Sequence, residues 1–182
     1  MRLIAHAAQH RRSALAKVGQ AGWKTFAQEL LPPARLHRWV LAAYTSYLLA
    51  VERPAPPHTQ PTTALGIHPF AKRADGRVVP WLHPALFVDL GWPLTTESLL
   101  ERYRAPGHNT YVRRFERGIV LYNPESSPDV IPLGAKYVDP WSADGCHPVR
   151  MYSVPGQSGA LLVIPSAVLG RQGQFAAVRR EL

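Results

Sequence analysis

The sequence predicts an α+β chain in which N-terminal helices are followed by a small antiparallel β-sandwich-like domain. Two patterns and one shift in composition predict it. Apolar residues recur at helical spacing through the first third. Short β runs divided by turn residues fill the stretch after Pro106-Gly107, where the composition changes. At 182 residues the chain can form one ordinary domain, or a small domain with part of another.

The helical part comes first. Leu3, Ile4, Ala7 and Ala8 fall at helical spacing, and Leu15 and Val18 continue it until Gly19 and Gly22 interrupt. Pro32-Pro33 opens a second helix, since proline is tolerated in the first turn. Leu36, Val40, Ala43, Tyr44, Tyr47 and Leu48 then recur at i, i+4, i+7 and i+8, and Leu41 and Leu49 widen the apolar face. So broad a face needs a partner surface around most of the helix. The helix ends near Glu52, before Pro54.

Residues 54–64 are a proline-rich loop, 64–67 one short buried strand, and Asp75-Gly76 a turn. The stretch 78–93 is aromatic-rich and irregular, and 95–100 reads as a single helical turn. Residues 111–115 and 119–122 flank Glu116-Arg117-Gly118, a hairpin-sized connection with its glycine where a positive φ is expected. After a loop over 123–129, strands are expected at 130–133, 149–154 and 160–164, the last two joined by the turn 155–159. The division that results is 1–53 helical, 54–105 strand and linker, 106–165 β domain, and 166–182 a basic tail.

The net charge of +9 raises a nucleic-acid reading. Its distribution weakens that reading, because the basic residues are spread out, in pairs such as Arg11-Arg12, Arg113-Arg114 and Arg179-Arg180. The single cysteine, Cys146, forms no internal disulfide and excludes a cysteine zinc cage. Residues 1–24 show no clean secretory pattern, being broken by His6, His10, Arg11 and Arg12. The longest apolar stretch, 39–51, suits a buried helix and is too short to span a bilayer. No membrane span is expected, and the cytoplasm is the default location.

By this point the residues carry a resemblance. The run Tyr111-Val-Arg-Arg-Phe-Glu-Arg-Gly-Ile-Val-Leu-Tyr-Asn-Pro124 resembles the Arg-x-Phe-x-x-Gly-x-Val-x-x-Asn-Pro signature in the C-terminal β domain of (β/α)8-barrel glycoside hydrolases. Ala43-Tyr-Thr-Ser-Tyr-Leu-Leu49 resembles their late barrel helix. The segment from Trp81 to Leu94, with its Leu-Gly-x-Pro motif, resembles their linker. The resemblance implies that the N-terminal helices are the remnant of a barrel, and that 64–67 is its last strand. It also implies that His68 and Phe70 stand at the active-site rim, where residues following a barrel strand lie. A barrel of this type needs about 250 residues, and its catalytic carboxylates would lie on earlier strands.

Within the motif, local chemistry suffices. Alternation puts Tyr111, Arg113 and Phe115 on one sheet face, with Val112 and Arg114 on the other. Gly118 serves the turn, and Asn123, before Pro124, can bond the backbone two residues on.

Glycoside hydrolysis needs two carboxylates flanking the scissile bond. Asp89, Glu116, Asp139 and Asp144 lie in loops or turns, where solvated or capping roles are expected, so no catalytic residue is assigned. His6 and His10 are four apart but lack a third ligand nearby, and no metal or cofactor is expected. His68, His83 and His147 precede prolines and read as extended loop residues. Ser158, in Gly156-Gln-Ser-Gly159, reads as part of a turn. Trp81, Trp92 and Trp141 can stack on sugar rings or pack the linker on the β domain. The sequence thus points to a non-catalytic C-terminal fragment of a glycoside-hydrolase-like protein, structural or carbohydrate-contacting through His68, Phe70 and Trp81. Its partners would be carbohydrate or the missing barrel portion. The rival is a basic module that binds nucleic acid or another polyanion.

Overall fold

The computed structural model describes residues 14–18, 33–51, 63–67, 70–72, 76–80, 83–95, 100–141 and 147–166. Strand β1 (Ala14–Val18) pairs in parallel with β2 (Thr63–Ile67), in register from Ala14↔Thr63 to Val18↔Ile67. Parallel neighbours require a crossover, and helix α1 (Pro33–Leu48) lies within it. The helix begins at Pro33, where the missing amide costs nothing.

Strand β1 corrects the helical reading of Leu15 and Val18. Five residues of mixed pattern do not fix their own conformation, and pairing with β2, some fifty residues away, decides it. The earlier stretch, 3–8, lies outside the described residues. Strands β3 (Phe70–Lys72) and β4 (Val78–Pro80) then form a short antiparallel hairpin. Gly76, at φ 83°, belongs to its turn.

The remaining strands are β5 (Tyr111–Phe115), β6 (Gly118–Asn123), β7 (Asp129–Val138), β8 (Pro148–Val154) and β9 (Ser158–Val163). They form one antiparallel sheet in the order β5-β6-β9-β7-β8. The chain is therefore α+β, a helix with a five-stranded antiparallel sheet. Ser158, expected in a turn, instead opens β9 opposite Asn123 and is buried. The expected helical turn at 95–100 falls mostly on 96–99, which lie outside the described residues, and a 3₁₀ turn occupies Leu100–Tyr103.

Alternation gives β6 and β9 two buried faces. Val120, Leu161 and Val163 meet Leu41 and Leu48 of α1 and Leu49 just after it, together with Ala85, Val88 and Leu90 of the linker. Ile119, Leu121, Ala160 and Leu162 meet Ile131, Leu133 and Tyr137 of β7 and Val154 of β8. The β7–β8 hairpin joins the sheet at Val138↔Val163 and covers this second face. Two cores on one pair of strands make β6 and β9 the centre of the molecule.

The helix comes close to β9 because Gly159 has no side chain. A Cβ there would collide with Thr45, whose buried hydroxyl donates to the Leu41 carbonyl at 2.6 Å. Leu36 and Val40 are buried outside the first core, and α1 also lies against β2. The broad apolar face is thus covered on two sides.

The role expected for Gly118 also needs correction. Its φ is not positive, and Glu116 and Arg117 alone form the two-residue turn. Glycine is required there by space. A Cβ at 118 would strike the Leu162 carbonyl oxygen and the Leu90 side chain.

Candidate functional site

Two basic side chains are buried where α1 meets the rest of the chain, one near each end of the helix. At the C-terminal end stands Arg113 of β5, 1% exposed. The last turn of α1 carries no basic residue of its own. Arg113 Nη1 donates to the carbonyls of Leu48 (2.9 Å), Leu49 (3.1 Å) and Val51 (2.5 Å). Its Nε and Nη2 donate to the Thr95 carbonyl at 3.2 and 3.0 Å. The Leu48 and Leu49 carbonyls lie at the negative pole of the helix, so the charge and these partners match. The guanidinium also lies 5.0 Å from the Tyr103 ring centre and 5.7 Å from that of Phe115.

Near the other end, His37 of α1 meets His83, which is fully buried. The ring nitrogens His37 Nδ1 and His83 Nε2 are 2.6 Å apart. His83 Nδ1 accepts from the Ala85 amide at 3.0 Å and so caps the 3₁₀ turn Pro84–Phe87. That bond assigns the tautomer: neutral His83 carries its hydrogen on Nε2 and donates it to His37 Nδ1. Burial, with His37 adding to it, pushes His83 down to about 3. Burial also lowers His37, against the raising influence of Asp139.

Asp139 follows β7. Its carboxylate accepts from Tyr152 Oη of β8 at 2.6 Å and from the Trp141 amide at 2.8 Å. The Trp141 ring lies edge-on to His83, with centres 6.2 Å apart. Burial and the neighbouring Asp139 charge raise the Tyr152 hydroxyl, so it stays a donor. A spacing of 2.6 Å between ring nitrogens is a hydrogen bond and leaves no place for a bridging metal, whose Zn–N bonds alone are about 2.0 Å each. Among the described residues no cluster of three or more metal-ligating side chains occurs. The arrangement can hold or lose protons.

Sequence reading placed His83 in an extended loop. Its φ of −65° and ψ of 131° are those of a residue before proline. Its burial and its bond to His37, 46 positions away, left no local mark. Of the residues expected at a sugar site, Phe70 opens β3, while His68 and Trp81 lie outside the described residues. His6, His10, Asp144 and Cys146 lie outside them as well.

The motif residues take up fixed positions. Arg113 and Phe115 are buried on the face toward α1, while Val112 packs on the second core and Arg114 is exposed. Asn123 is fully buried. It accepts from the Glu125 amide at 3.0 Å and donates to the carbonyls of Ser127 (2.8 Å) and Val154 (3.2 Å), and exposed Pro124 follows it. The carboxylates are engaged too. Asp89 pairs with Arg117, and Glu116 accepts from the Trp92 amide at 3.2 Å.

Asp129 gathers the loop before β5. It accepts from His108 Nδ1 (2.9 Å), the Asn109 and Thr110 amides (3.0 and 3.1 Å) and Thr110 Oγ1 (2.8 Å). Burial raises its carboxyl, but these donors outweigh burial and hold it below the ordinary range.

Comparison with family models, with curated proteins and with solved structures finds no match.

Proposed function

We propose that this chain is the closing, non-catalytic segment of a glycoside-hydrolase-like protein, with a structural or carbohydrate-contacting role. One observation carries the reading. Helix α1 connects the parallel strands β1 and β2 and is also fixed by Arg113 to the antiparallel sheet. A strand–helix–parallel strand unit is the building block of a (β/α)8 barrel, and a β domain clamped to its helix would close such a barrel. The β7–β8 hairpin folded over β6 and β9 supports the sandwich-like form of that domain.

Because α1 runs between two parallel strands, its N-terminal end adjoins their carboxyl ends. Barrel active sites form at that end. Phe70 opens β3 three residues after β2, and it is assigned to sugar contact together with His68 and Trp81, which lie outside the described residues.

The rival polyanion reading draws less support. Arg104 bonds the His108 carbonyl and Asn109, Arg114 bonds the Leu133 carbonyl, and Arg117 pairs with Asp89. Arginines held by their own chain are poorly placed to neutralise phosphates. Tryptophan-fluorescence titration with neutral oligosaccharides, and with duplex DNA at two salt concentrations, separates the readings. Saccharide binding lost in Trp81→Ala supports the first. DNA binding with a steep salt slope and no saccharide response would support the second. Coding sequence upstream that continues the strand–helix alternation would support the barrel origin, and its absence would count against it.

A further inference from the structure

We propose that the His37–His83 pair is an acid-opened latch that fastens the linker 83–95 to α1 and frees it when either imidazole gains a proton. The geometry leaves no room for that proton. His83 Nδ1 faces the Ala85 amide hydrogen, and its Nε2–H faces His37 Nδ1. A hydrogen added at His83 Nδ1 would oppose the Ala85 N–H and remove the cap. A hydrogen added at His37 Nδ1 would oppose His83 Nε2–H and remove the bond between the rings. Either addition turns an acceptor into a donor facing a donor. Opening is the relief.

The titratable groups facing the pair from other elements, among the described residues, are Asp139 after β7 and, through its hydroxyl on Asp139, Tyr152 of β8. Asp139 raises His37 alone, against the stronger lowering by burial. The Trp141 ring borders His83, and an aromatic ring accepts no proton from it and solvates an added charge poorly.

What the latch holds is a strap along the sheet. After His83, the linker inserts Ala85, Val88 and Leu90 into the first core. It then runs beside β5, where Leu94 N donates to the Arg114 carbonyl, Glu116 N to the Trp92 carbonyl and Arg117 N to the Leu90 carbonyl. Freeing the strap at His83 would expose that part of the core while β6 and β9 stay paired. The latch needs no ligand and stands or falls apart from any barrel.

Amide hydrogen exchange on the full chain, corrected for intrinsic rates, tests it between about pH 7.5 and about pH 5. The open form takes up its proton at an ordinary imidazole pKa near 6.5, whereas latched His83 resists protonation to about 3. Protection of the Ala85 amide is therefore expected to fall about tenfold per pH unit below about 6.5. Amides of β9 lose the same factor through global unfolding but should stay better protected than Ala85 at every pH. His83→Asn offers an oxygen to the Ala85 amide and cannot take a proton, so the pH dependence of its protection should be weaker over the same range. Imidazole ¹⁵N shifts of the unmodified chain give a second reading, with His83 expected as the neutral Nε2–H tautomer at pH 7. Constant Ala85 protection down to pH 5 would overturn the latch. So would Ala85 protection equal to that of β9 throughout, the same pH dependence in His83→Asn, or a charged His83 while Ala85 stays protected.

Discussion

The two ends of α1 are fastened by opposite means. At the C-terminal end a permanent charge, Arg113, is buried against carbonyl oxygens and two aromatic rings. Near the N-terminal end a base, His83, is buried on condition that it stays neutral. A guanidinium keeps its charge across the physiological range, so the first joint is indifferent to pH. The second can be undone by one proton. Burial alone therefore says little about how a polar joint behaves; the protonation state that its partners require decides it.

Breaking the charged joint should have the largest effect. Arg113→Ala leaves the carbonyls of Leu48, Leu49, Val51 and Thr95 without this donor. It should cost on the order of 3–5 kcal/mol in urea unfolding, with no dependence on pH between 5 and 8. Arg113→Lys should recover little, because one ammonium cannot reach both the helix end and Thr95. A cost below about 1 kcal/mol for Arg113→Ala would mean that the helix is held by its apolar face alone.

Between the two joints the strap crosses Gly118, under Leu90. Gly118→Val should cost about 2–3 kcal/mol by overpacking, since the obstruction is partly the Leu162 backbone and cannot rotate away. An unchanged unfolding midpoint would show that the strap is loosely seated there.

The neutral joint should show itself through pH. Folded His83 has a lowered pKa, so the unfolded chain binds the extra proton and stability falls as pH drops below about 6.5. The slope should approach about 1.4 kcal/mol per pH unit, or roughly 2 kcal/mol between pH 6.5 and 5. His83→Asn should flatten the profile, and urea midpoints across that range measure both. An equal slope in the variant would place the acid sensitivity elsewhere.

Much of the fold was legible, and the reason is locality. Strands β5 to β9 declare themselves because each contains a short apolar run between turn residues, although β7 runs on to Val138, past its expected end at 133, and α1 declares itself because its apolar spacing spans four turns. Strand β1 was not legible, because its conformation depends on β2. Asn123 announced its bond to the backbone two residues on, a contact within its own turn. The partners of Arg113 lie up to 65 positions away and the partner of His83 lies 46 away, so neither could be read. Gly118 was recognised as a required glycine for the wrong reason. Spacing suggested a turn, and the need comes from a neighbouring strand and the strap.

Asp129 completes the comparison as a third fastening, acid-sensitive in a lower window. His108, Thr110 and the backbone amides of 109 and 110 donate to its carboxylate, holding its pKa below the unfolded value near 3.9 even though burial works the other way. A depressed carboxyl contributes stability that is complete above the unfolded pKa and is lost as pH falls through the folded one. The histidine slope should therefore begin near pH 6.5, and the Asp129 contribution should disappear only below about pH 4. Asp129→Asn should cost about 1 kcal/mol at pH 7, since the amide keeps one acceptor oxygen while its nitrogen faces donors. Below about pH 3 that cost should shrink, because the native carboxyl is then protonated too. Urea midpoints of the two single variants and the double variant give a direct comparison. If the His83→Asn and Asp129→Asn effects add at pH 7 and separate on acidification, the two fastenings are independent. If His83→Asn alone removes the loss in both windows, Asp129 is not a separate fastening, and the loop before β5 is held through the strap.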